Sequence, residues 1–252
     1  MNATRRREDA VTTSLREHVL TPLSRAAEIV EVERGEIEAE RRAFVRFRDR
    51  VAGIETVATP RPEPRPALAT GVDGRSPRAL ERVRGAFRET ITSLDHYDEV
   101  YGETVEEFAA SEFSPEVAAG LRGESAASFT DLYKATLVTA VDGAVETRET
   151  THEHLDSELA SVETHRATLA GMIDSLDGPA ASARYRSEFE DRLEEVTQTR
   201  QKEIHRQFPR TGADGHDLCQ YLYREPDWTY PVLTAVTRFH ATGDPTAWRG
   251  TS

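Results

Sequence analysis

Two places in this 252-residue chain gather side chains that could do chemistry. Glu149-Thr-Thr-His152 has the Glu-x-x-His spacing with which di-iron bundles put a carboxylate and an imidazole on one helix face. Such a centre takes two of these pairs and two further carboxylates, and the chain has no second Glu-x-x-His. His152 and Asp156 also stand one turn apart, but His152-Glu153-His154 is not the His-Glu-x-x-His of zinc proteases. Solvated helix histidines are the expected reading. The second place is Cys219 with His216, three residues apart on a short helix, a spacing that would let an imidazole activate a thiol. Flanked by Leu218 and near Leu222, the cysteine reads as a small buried hydrophobe. Glycine-rich phosphate loops, a Gly-x-Ser-x-Gly elbow and zinc-spaced cysteines do not occur. No catalytic, cofactor-binding or metal residue is assigned, no cofactor is expected, and a metal-dependent activity is only a residual alternative.

The elements that would carry these residues are long helices. Apolar residues recur every seventh position in three stretches: Leu23, Val30, Ile37, Phe44, Val51; Leu80, Phe87, Leu94, Tyr101, Phe108; and Leu155, Val162, Leu169, Leu176. A sustained period of seven marks helices packed lengthwise on helices. The first helix is expected from about Glu8 to Glu55, with Pro22 a kink or a late start. Its second seam series runs Ala26, Glu33, Glu40, Phe47, Ile54, so two glutamates and nearby Gly35 weaken the middle. Prolines alternate with charges from Pro60 to Pro66, the pattern of an extended linker, with a proline-rich docking peptide as the alternative. Ser76-Pro77 and Ser114-Pro115 each read as a helix start. The first opens a helix carrying its sevens to Phe108; the second opens a short helix ended by Gly120 and Gly123. The longest helix is expected from Ser125 to Leu176, with an antiparallel return after Gly178-Pro179 that runs through Tyr185, Phe189, Leu193, Val196, Ile204 and Phe208 to Pro209.

Composition restricts the setting. The net charge is −13, from 32 basic and 45 acidic residues, which repels nucleic acid and acidic lipid over most of the surface. Only Lys134 and Lys202 are lysine, a style resembling that of salt-loving archaea, where screening to a few ångströms lets an acidic surface tolerate itself. One cysteine suits a reducing compartment. No run approaches the roughly 18 apolar residues of a membrane span. Arg5-Arg6-Arg7 lacks the apolar stretch of an export signal, so a cytoplasmic location is expected.

Aromatic residues concentrate after Pro209, from His216 to His240. The box Leu218-Cys-Gln-Tyr-Leu-Tyr223 with Trp228-Thr-Tyr-Pro-Val-Leu233 resembles the C-terminal signature of an uncharacterised haloarchaeal family of helical proteins. Residues Val32 to Phe44 are similar to that family's opening helix. The resemblance implies a helical fold and a salt-loving source, and carries over no catalytic residue.

The fold expected is all-α, an elongated antiparallel bundle or coiled coil with a small aromatic-rich C-terminal subdomain. Its blocks are residues 1–55 as an N-terminal coiled-coil helix, 56–76 as linker, 77–208 as the bundle with a long hairpin, and 209–252 as the box. The expected function is a non-catalytic scaffold or adaptor that self-associates or binds a protein partner. Phe44 and Phe47 are placed at the contact of the first helix, in cis or in trans; Phe44→Asp is then expected to abolish any dimer while sparing helicity from residue 77 onward. Tyr223, Trp228 and Tyr230 are placed on an interaction patch of the box. The alternative is a DNA-associated regulator using the two-helix box, which offers Arg238 and few other basic groups.

Overall fold

The computed structural model describes residues 10–57, 75–97, 105–121, 128–176, 183–206 and 215–243, and among these the chain is all-α, with no strand. The Pro60–Pro66 run, Tyr101, the Gly178-Pro179 reversal and Phe208 lie outside the described residues.

Helix α1 spans Thr21–Ala52 and is entered through a π turn, Arg16–Leu20, with residues 10–15 already helical. Pro22 explains the turn. Its ring has no N–H and excludes the carbonyl four residues back, so one extra residue is accommodated ahead of it. The Thr21 N–H reaches back five residues to Arg16 O, and the bypassed His18 O accepts from Arg238 Nη1 at 3.3 Å instead. The proline therefore produces a bulge within a continuing helix rather than a late start.

The further helices given for the described residues are α2 Arg75–Thr90, α3 Val105–Glu112, α4 Pro115–Leu121, α5 Asp131–Leu176, α6 Ala183–Arg206, α7 Gly215–Leu222 and α8 Pro231–Gly243. The second series of sevens does not run through one helix. α2 stops at Thr90, where Thr90, Thr92 and Ser93 hydroxyls take the carbonyls of Ala86, Arg88 and Glu89, and turns occupy residues 91–96. Leu80, Phe87 and Phe108 are buried all the same. Ser114 caps α4 through its Oγ to Val117 N, as the Ser-Pro pair predicts. α5 begins six residues later than the sequence pattern suggests. Thr130 caps it through Oγ1 to Tyr133 N, and the preceding Phe129, outside the helix, is fully buried and its carbonyl accepts from Val57 N.

The chain divides into two compact units that cut across the sequential blocks, because α1 and α5 each contribute to both. One unit comprises Met1–Arg34 and Glu153–Ser252; the other is Gly35–His152. In the second, Phe44, Phe47, Val51 and Ile54 of α1 pack with Leu80, Val83 and Phe87 of α2, Phe108 and Phe113, Val117 and Leu121 of α4, and Leu137 and Val141 of α5. The rings meet mostly edge to face: Phe47 and Phe87 at 5.3 Å, Phe44 and Phe113 at 6.2 Å. Lys134, one of the two lysines, donates Nζ to Ala52 O and Ile54 O and so closes the end of α1. Gly120 is required where it stands, because a Cβ there would overlap the Tyr133 ring, whose hydroxyl donates to Val117 O at 2.8 Å.

In the first unit, Leu23, Ala26 and Val30 of α1, Leu155, Val162 and Leu169 of α5, and Leu193, Val196 and Ile204 of α6 are buried. α6 returns alongside α5 in the opposite sense: Met172 and Phe189 line one groove, while Arg200 reaches Glu158. α8 packs on α6 and on the π turn, and α7 packs on α6.

Candidate functional site

The sevenfold spacing of α5 and the return of α6 bring a fully buried arginine onto a fully buried glutamate. Arg200 Nη2 donates to Glu158 Oε1 at 2.7 Å, and neither side chain has any exposure. Arg200 Nη1 donates to Ser161 Oγ at 2.7 Å, one turn further along α5. Ser161 Oγ in turn donates a hydrogen bond to Glu203 Oε2 at 2.7 Å, and His165 Nε2 lies 3.0 Å from the same oxygen. The short helix α7 and the residue after it complete the cluster. Cys219 Sγ accepts from Arg200 Nη2 at 3.5 Å, and Tyr223 donates its hydroxyl to Glu158 Oε1 at 2.9 Å.

This environment suppresses nucleophilic chemistry. Burial, reinforced by the Glu158 charge, pushes the Cys219 thiol up to about 12, so it stays protonated. The same two causes raise Tyr223 well above the ordinary phenol range. Burial opposes the charge of Arg200, yet Glu158 more than offsets it and the guanidinium is held more firmly protonated than usual. The side chain of His216, the proposed partner of Cys219, is outside what the structure describes.

A second cluster occupies the other unit. Glu40, one of the two seam glutamates, is buried: Arg148 Nε donates to its Oε2 at 3.0 Å and His96 Nε2 lies 3.3 Å from its Oε1. Arg148 grips Glu112 with both Nη atoms, and its Cζ sits 4.4 Å over the Phe44 ring. Glu33, the other seam glutamate, accepts from the Tyr221 hydroxyl at 2.8 Å. α7 and Tyr223 thus tie three long helices, with Cys219 ending on α6, Tyr221 on α1 and Tyr223 on α5.

The sequence-derived site residues divide between buried and partly exposed positions. Phe44 and Phe47 have no exposure and contact their own unit's core. Tyr223 is buried and its hydroxyl is engaged, so it offers no surface. Trp228 packs against it with tilted rings, centroids 5.5 Å apart, and is half-buried, as is Tyr230. Among the described residues of the box the exposed aromatic is Tyr221, 49% accessible with Arg224 Cζ 5.7 Å above its ring; the sequence pattern did not single it out. Glu149 of the Glu-x-x-His pair forms an ion pair with Arg41 at 3.5 Å. Among the described residues no group of three or more His, Cys, Asp and Glu side chains could hold a metal ion.

A family model described as a domain of unknown function, DUF7260, matches residues 21–244. The chain belongs to that family. The DUF7260 match opens at the first residue of α1 and takes in both buried arginine clusters. No curated protein and no solved structure matches the chain. No helix among the described residues is long and apolar enough to cross a membrane.

Proposed function

We propose that this DUF7260 protein is a non-catalytic scaffold or adaptor that works through a second copy of itself or another protein, in a salt-rich cytoplasm. One observation carries the reading: the groups best suited to chemistry are tied to one another inside the bundle. Arg200 is held by Glu158, Arg148 by Glu40 and Glu112, and Cys219 is buried with its thiol protonated. The acidic, lysine-poor composition supports the salt-rich setting. The box supplies a partner surface in Tyr221 and Arg224, types enriched at interface hot spots, with Trp228 and Tyr230 half-buried beside Tyr223. The regulator alternative has no comparable support, since Arg238 already donates to His18 O.

Light scattering on the full chain after size exclusion in molar KCl tests the self-association branch. A mass near twice 28.1 kDa that falls to 28.1 kDa on Tyr221→Glu supports it. A mass of 28.1 kDa at every concentration removes that branch.

A further inference from the structure

The Arg200 cluster has an outward edge. Glu203 is part-exposed, and its Oε2 is fixed by Ser161 at 2.7 Å and His165 at 3.0 Å, two residues that are themselves more than nine-tenths buried. An ordinary surface glutamate on a helix rotates freely; this one is held from beneath by His165 and by Ser161, which Arg200 holds in turn, and Arg200 Nη1 itself lies 3.9 Å from its Oε2. It opens on a groove of about 450 Å³ between α5 and α6, whose walls are His154, Ser157, Ser161 and Thr164 on one side and Glu203 and Arg206 on the other.

Three features give this groove a chemical preference. Glu203 Oε1 has no hydrogen-bond partner among the described residues, so an oriented carboxylate oxygen is open to a ligand. Arg206 stands one turn further along α6 and is paired with no carboxylate among the described residues, Glu203 included. Negative and positive groups therefore line one groove without neutralising each other, at the separation of neighbouring side chains on a helix face. His154 adds a polar ring that partial burial keeps from becoming charged, its pKa being lowered. A cationic ligand alone would meet Arg206, and an anionic one Glu203.

We propose that the α5/α6 groove at Glu203 and Arg206 binds a small zwitterion of the amino-acid class, its ammonium on Glu203 and its carboxylate on Arg206. Binding there is independent of the scaffold reading: a scaffold can carry the site, and a monomer can carry it equally.

The test is titration of the ¹⁵N-labelled full chain in molar KCl with alanine, with acetate and methylammonium as the two half-ligands. Saturable shifts of the His154, Ser161 and Thr164 amides with alanine, and none with either half-ligand at equal concentration, are expected. Arg206→Gln and Glu203→Gln should each weaken binding at least tenfold; Arg206 is on the surface, so its variant keeps the fold even where Glu203→Gln disturbs the cluster. Absence of saturation with alanine, equal shifts with acetate alone, or unchanged affinity in Arg206→Gln overturns the proposal.

Discussion

Each unit of the molecule buries one arginine against a glutamate and sets a second glutamate and a histidine beside it, yet the two arginines are satisfied in different ways. Arg148 is saturated by charge: Nε on Glu40, both Nη atoms on Glu112, and the face of the guanidinium on Phe44. Arg200 has one close carboxylate, Glu158, a second at 3.9 Å in Glu203, and otherwise meets a hydroxyl and a thiol. Among the described residues its Nε and the Oε2 of Glu158 have no hydrogen-bond partner. The cluster around Arg148 thus sets one guanidinium on two close carboxylates, whereas the one around Arg200 has a single close carboxylate and adds the neutral side chains of Ser161, Cys219 and Tyr223, tying α5, α6 and α7 together. Loss of either glutamate leaves Arg148 a second close carboxylate, whereas loss of Glu158 leaves the buried Arg200 only the more distant Glu203.

The largest expected break in this comparison is Phe44→Asp. It puts a carboxylate into the ring cluster of Phe108 and Phe113 and beneath Arg148. Loss of a buried phenylalanine alone costs about 3–5 kcal/mol, so unit Gly35–His152 should unfold, with loss of helicity well beyond residue 77 measured by circular dichroism and hydrogen exchange. This replaces the expectation that the variant would only dissolve a dimer, since Phe44 belongs to the chain's own core. Next in size is Gly120→Ala, whose methyl must displace the Tyr133 ring; a loss of about 1–3 kcal/mol by urea titration is expected, confined to the same unit. Tyr223→Phe removes one bond to a charged acceptor and should cost about 1.5–3 kcal/mol on the other side of the comparison, read as a lower urea midpoint with an unchanged slope. Cys219 should resist iodoacetamide at pH 8 in native protein and react once urea unfolds it; rapid native labelling would contradict the burial assigned to it.

The smallest effect is an acid-side one. The hydrogen bond from Arg41, against some desolvation and with help from Arg42, lowers the Glu38 carboxyl to about 2. Its contribution is complete above the ordinary value of 4.5 and is lost as pH falls toward 2. Glu38→Gln should therefore flatten the stability profile between pH 4.5 and 2 and change little at neutrality, a difference that pH-dependent melting would show.

How far the sequence could be read depended on whether the information was local. Periodicity placed Leu23, Val30, Leu155, Val162 and Leu169 in the core, and the Ser114-Pro115 signal placed the start of α4. The break after Thr90 was hidden because hydroxyls that stop a helix do not disturb a count of sevens. Glu33 and Glu40 were read as weak points of a seam; both are anchors, and Glu40 meets its arginine 108 residues away. No local pattern announces such a pair. Tyr221 and Tyr223 look alike in sequence, but the two-residue step turns one to solvent and the other inward onto Glu158. The Arg200 cluster is hidden for the same reason: Glu158 and Ser161, Arg200 and Cys219 come from three helices, and Tyr223 follows the last of them.

The most direct test of charges as internal ties is a double-mutant cycle on Glu158 and Arg200, followed by urea unfolding in molar KCl. Arg200→Met alone should cost about 3–5 kcal/mol by stranding the buried carboxylate, and adding Glu158→Leu should recover most of that loss. A single variant that is nearly neutral, or a double variant that loses the sum of both, would contradict the account.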